Sequence, residues 1–216
     1  RSFIAEPFNI PSGSMKPNLL EGDFIFVSKW SYGYSRHSLP FSIGWSDTKF
    51  FSKIPQRGDV VVFKTPEDNR TDYIKRVIGL PGDEIIIKDG LIVINNKIIF
   101  RERMIDFNDY RNGIPNNERR VRRYKEFFFE KEVNVLDVED GSFGDNRGPF
   151  IVKANHFFVM GDNRDRSQDS RFSIVEQIPF ENLVGKARFI FFSLENSRFL
   201  EIWKWPKAIR GSRIFS

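Results

Sequence analysis

The segment Glu84-Ile85-Ile86-Ile87, the dipeptide Asp89-Gly90 and the segment Leu91-Ile92-Val93-Ile94 form a hairpin signature. Asp-Gly accepts the positive φ angles of a tight two-residue turn, and the flanking β-branched runs pair antiparallel. More strands read in the same way around it. Asp23-Phe24-Ile25-Phe26-Val27 has strand length, as does the continuous apolar run Asp59-Val60-Val61-Val62-Phe63. Thr71 to Ile78 is a second strand across the polar loop Thr65 to Arg70, and Leu80-Pro81-Gly82-Asp83 is a turn. Strand character returns at His156-Phe157-Phe158-Val159-Met160 and from Val184 to Phe192. No long amphipathic helix is legible, so the class is mainly β, built of antiparallel sheets with little helix.

The stretch 101–149 differs in composition. It is rich in Arg, Asn, Asp and Glu and contains the run Glu118-Arg119-Arg120-Val121-Arg122-Arg123. It reads as a smaller β subdomain inserted between a first core part, 1–100, and a second, 150–216. A long aromatic loop is expected from Trp30 to Phe51. A chain of 216 residues can bury roughly 70% of its extended surface, so it needs no staples, and with no cysteine it has none. There is no apolar run of 18 residues to span a bilayer. The start at Arg1, inside an apolar segment, reads as truncated or processed. The 24 phenylalanines exceed what an ordinary core uses, which leaves some for a surface that meets lipid or an apolar peptide. The net charge of +5 suits anionic lipid and nucleic acid alike.

Two short segments carry chemistry. Ser14 lies in Pro11-Ser12-Gly13-Ser14-Met15-Lys16, kept out of helix by Pro11 and Pro17. Lys75 lies in Tyr73-Ile74-Lys75-Arg76-Val77-Ile78, where alternation puts it on the face of Tyr73 and Val77. Each has an ordinary explanation alone: a surface turn, and a lysine whose stem packs while its head stays in water. Together they supply a hydroxyl nucleophile and an amine base that can be desolvated. A lysine held about 3 pH units below its usual range costs roughly 4 kcal/mol, which a fold of this size can bear. The chain has only two histidines, His37 and His156, so the usual hydrolase arrangements have few candidates.

Four boxes in order then resemble the type I signal peptidases of bacteria. They are Ile10 to Met15 with Pro17 and Leu19; Arg57-Gly58-Asp59-Val60-Val61-Val62-Phe63; Tyr73 to Asp83; and Met160-Gly161-Asp162-Asn163-Arg164-Asp165 with Ser167, Asp169, Ser170 and Arg171. The resemblance implies a serine endopeptidase that removes signal peptides from secreted preproteins at the extracytoplasmic surface of the bacterial cytoplasmic (inner) membrane. Its anchor would lie outside this chain. It implies Ser14 as nucleophile and Lys75 as general base. Ser12 would support the oxyanion with the backbone N–H of Ser14. Ser167 would hydrogen-bond the Lys75 amine, and Asp169 with Arg171 would form a supporting ion pair behind it. Small side chains one and three places before the cleaved bond would sit in shallow pockets, for which Phe8, Ile10, Pro11, Met15, Tyr73 and Ile74 are the lining. No metal or cofactor is implied, and no nucleic acid is expected as a partner.

Members of that family carry membrane-spanning segments ahead of the serine box, which this sequence does not. Some carry a disulfide, which it cannot form. The insertion resembles the extra β subdomain of Gram-negative members but has no matching motif, and its arginines read as a solvated face. Phe3, Phe8, Trp203 and Trp205, near the chain ends, suit a membrane interface or a covered sheet equally. Two other functions remain open: a self-cleaving repressor-type serine–lysine protease, and a non-catalytic basic β module that binds nucleic acid. The first would need a DNA-binding helix-turn-helix and a cleavable linker, neither of which is visible. The second is faintly mimicked by Phe127-Phe128-Phe129 beside Arg122, Arg123 and Lys125.

Overall fold

In the computed structural model the described residues are 5–29, 54–110, 118–195 and 205–215. The expected loop at 30–51, Phe3 and Trp203 lie outside them. The strands, in chain order, begin with β1 (Ala5–Asn9), β2 (Asp23–Ser28), β3 (Val60–Lys64), β4 (Asp72–Gly79) and β5 (Glu84–Lys88). Then come β6 (Leu91–Ile94), β7 (Lys97–Ile98), β8 (Arg101–Arg103), β9 (Phe107–Tyr110) and β10 (Glu118–Phe128). The last are β11 (Lys131–Asp137), β12 (Arg147–Ile151), β13 (His156–Met160), β14 (Ile178–Pro179) and β15 (Leu183–Ser193). Among the described residues the only α-helix is the single turn Trp205–Ala208. The fold is mainly β, as the short apolar runs require.

The largest sheet has seven strands in the order β1-β2-β15-β3-β4-β13-β14, paired antiparallel throughout. β3 sits near its middle, covered on both faces, which is why it reads as a continuous apolar run rather than an alternating one. Val61 and Phe63 pack with Val77, Phe157 and Val159 on one side. Val62 packs with Ile10, Met15 and Val27 on the other. The hairpin at Asp89-Gly90 forms with both turn residues at positive φ, 49° and 74°, and its strands sit in the sheet β12-β5-β6-β7.

The stretch 101–149 divides between two sheets. β8, β9 and β11 each pair with β10, whereas β12 returns to β5. These two sheets share one core, in which Ile85, Ile92 and Ile94 meet Phe128, Val133 and Val135. Several arginines of this stretch are paired rather than simply solvated: Arg101 reaches Asp137 at 2.8 Å and Arg122 reaches Asp140 at 2.6 Å.

One detail of the large sheet positions everything that follows. β13 pairs with β4 only from Gly79 back to Arg76. The first half of β4, Asp72 to Lys75, is paired with β3 alone among the described strands. Its other edge therefore opens onto a cleft, and the segment after β1 crosses there.

Candidate active site

After β1, the backbone N–H of Ile10 still donates to Asp23 O at 2.8 Å, and Pro11 then ends the pairing. Gly13–Met15 forms one turn of 3₁₀ helix that carries Ser14. Asn163 holds this turn twice: its backbone N–H donates to Ser14 O and its side-chain amide to Gly13 O, each at 3.0 Å. Met15 is fully buried beneath, locking the turn to the core.

Lys75 approaches from β4. Its Nζ lies 2.8 Å from Ser14 Oγ and donates to Ile74 O at 3.1 Å. The ammonium is 5.2 Å from the centroid of the Tyr73 ring. With the residue 5% exposed, burial pushes the amine down to about 8, although Asp169 and Asp162 pull the other way. Those two acids are themselves paired with arginines. Asp162 takes a fork from Arg76 at 2.7 and 2.6 Å and a bond from Asn18 at 2.7 Å. Asp169 takes a fork from Arg171 at 2.8 and 3.0 Å and the N–H of Gly161 at 3.0 Å. Pairing the carboxylates lets desolvation win at Lys75.

Ser12 is exposed, with its Oγ 3.5 Å from Ser14 Oγ. Ser167 is buried close by, but its Oγ makes no hydrogen bond, so the contact with the Lys75 amine implied by the resemblance is not formed here. Its packing has a definite cause: a Cβ at Gly161 would lie 2.2 Å from Ser167 Oγ and 2.6 Å from Ser14 O. Only glycine lets these segments meet.

The pair opens into a cleft of about 520 Å³, lined among others by Pro11, Ser12, Tyr73 and Ile74. Of the six side chains read as lining, Pro11, Tyr73 and Ile74 border it. Ile10 and Met15 are sealed in the core, and Phe8 packs half-buried against the same cluster. Motif reading missed the far rim. Asp109 of β9, itself buried, binds Lys16 Nζ at 2.7 Å and Arg166 Nη1 at 3.2 Å, tying the serine segment to the Ser167 segment. No local sequence pattern marks Asp109, because its partners are 93 and 57 residues away.

A mainly β fold that presents a serine hydroxyl to a buried amine, with no imidazole beside it among the described residues, is the arrangement of a serine-type hydrolase. Residues 1–192 match the family described as signal peptidase, peptidase S26. The chain belongs to that family. Its relatives include signal peptidase I of Rickettsia typhi, 39% identical across the whole chain and 86% of the relative. That of Rickettsia prowazekii is 38% identical over the same shares. A crystal structure of a signal peptidase I from Enterococcus faecalis is 25% identical, covers 62% of this chain and 97% of its own, and has a TM-score of 0.36. The family assignment rests on the sequence matches, and with it the chain is a serine endopeptidase.

Proposed function

We propose that this peptidase removes signal peptides from preproteins with Ser14 as nucleophile and Lys75 as general base. The 2.8 Å contact between Lys75 Nζ and Ser14 Oγ, made between two buried residues at the floor of the cleft, is the observation that carries the assignment. In the neutral state of the amine the hydroxyl donates to Nζ. As the oxygen attacks the scissile carbonyl, its proton passes to the amine. The lysine then gives that proton to the leaving amine, and water resolves the acyl-enzyme by the same route. Oxyanion support falls to the Ser12 hydroxyl and the Ser14 N–H. Ser12→Ala is expected to lower kcat about a hundredfold with little change in KM, and steady-state kinetics on a preprotein checks it. An unchanged kcat removes Ser12 from the mechanism.

The open edge of β4 beside Tyr73 and Ile74 supports strand addition by the residues before the cut bond. The preference for small side chains follows from shallow walls at Pro11, Tyr73 and Ile74. We read 101–149 as a subdomain inserted between the two core parts 1–100 and 150–216.

Lys75 also sets the pH dependence. Burial brings the folded amine down to about 8, from the 10.5 of a free lysine. Below about 8 the fold carries the full cost of a buried ammonium; stability rises with pH between the two values, because the unfolded chain holds more protons there. Activity needs the neutral amine. It is expected to climb through about pH 8 and to fall nearly tenfold per unit on the acid side. A flat kcat/KM from pH 5 to 9 would exclude a titrating lysine.

The family is membrane-associated, and no helix among the described residues is long and apolar enough to cross a bilayer. An aromatic face on β2 and β15 supports lipid contact at the extracytoplasmic surface. Phe26 and Phe191 have ring centroids 4.4 Å apart, Phe192 and Trp205 4.9 Å, and Phe215 beside Phe189 is 79% exposed. Aromatic rings favour such an interface.

A further inference from the structure

A second cleft, of about 650 Å³, is bordered by Ser167. Phe143 and Phe172 form one wall, nearly parallel at 13° with centroids 5.9 Å apart. The Arg147 guanidinium sits 3.7 Å above the Phe143 ring and 5.5 Å from that of Phe172. Arg166 and Arg171 also line this cleft, and both are committed, to Asp109 and to Asp169. Arg147 is different. It has no ion pair with any described residue, and its Nε is buried without a hydrogen-bond partner. A guanidinium oriented by aromatic stacking, with its donors unused, is preorganised for a carboxylate.

The cleft adjoins the first one: Arg166 and Gln168 line both. If residues before the cut bond lie along Thr71 to Ile74, those after it leave by the opposite end, over Arg166 and Gln168. We propose that the Arg147 cleft receives the polypeptide that follows the cleaved bond and selects an acidic side chain there. Arg147 pairs with the carboxylate, and a neighbouring apolar side chain lies against the exposed Phe143. This rests on Ser14 being the point of attack. It makes Arg147 a specificity-determining residue far from the four family boxes.

The test compares matched peptide substrates, identical up to the cut, with aspartate or lysine walked along the following residues. The readout is the ratio of kcat/KM for the acidic over the basic peptide within each enzyme, which cancels any general loss of activity. The wild type should favour aspartate about fivefold at one or two positions, the size of a single partly exposed charge pair. High salt should shrink that ratio towards one. Arg147→Gln should abolish it and Arg147→Glu should invert it. The same ratio in all three enzymes, or one indifferent to salt in the wild type, overturns the inference. So does a flat ratio with Arg147→Glu losing affinity for phosphatidylglycerol–phosphatidylcholine vesicles, which would give the cleft to lipid instead. Turnover that persists in Ser14→Ala would overturn the underlying reading, whereas an unchanged ratio with Ser14-dependent turnover overturns the inference alone.

Discussion

Ser14→Ala is expected to cut kcat/KM on a preprotein with alanine at both small-residue positions by at least about 10⁴-fold, and Lys75→Ala to do the same. The double variant should be no worse than either single one, because a nucleophile and its base act as a unit and their effects do not add. Lys75→Arg should fail as well, since a guanidinium stays protonated and cannot accept the serine proton. Stability separates lost chemistry from lost fold. Burial pushes Lys75 down to about 8, so charging it at pH 7 costs the folded state roughly 3 kcal/mol. Lys75→Met removes that cost and keeps the stem's packing, so it should be inactive yet melt no lower than the wild type. Normal turnover by Lys75→Arg, measured alongside the melting curves, would sink the general-base role.

The parts of this arrangement differ in how far local sequence announces them. Alternation in β4 placed Lys75 beside Tyr73 and Val77, and the contact of Tyr73 and Val77 with one core cluster agrees. The depressed lysine also follows from its apolar neighbours. A strand's two faces are set by a period of two residues, so burial there can be read locally. The cleft walls could not be read in that way. Ile10 and Met15 look like any apolar residues near a serine, yet both are sealed into the core against Val27 and Val62. Nor could Asp109 or Glu126, whose partners are 38 to 93 residues away along the chain. A charge in an Arg- and Glu-rich stretch reads as solvated until tertiary packing buries it. Ser167 is a third case. Its burial beside Ser14 depends on Gly161 having no side chain, and its hydroxyl is left without a bond.

Glu126→Gln is expected to destabilise the protein by about 3–5 kcal/mol, the usual result of removing one partner from a buried ion pair. Glu126 Oε1 and Oε2 accept from Arg164 Nη1 and Nη2 at 2.6 and 2.5 Å, with both side chains below 5% exposure. Burial alone would pull the Arg164 guanidinium down, but Glu126, Asp162 and Asp169 more than offset it. With the carboxylate gone, the fold must hold an almost uncompensated cation. Replacing both partners, as in Glu126→Leu with Arg164→Met, should cost far less, because no charge is left to desolvate. The pair joins β10 to the turn Arg164–Arg166, one residue after the Asn163 that holds Ser14. Loosening it should therefore lower kcat at temperatures where Glu126→Gln remains folded. Denaturant midpoints for the wild type, the single variant and the double variant decide the matter. A single variant as stable as the wild type, or a double variant worse than the single, would show that Arg164 draws its support from elsewhere.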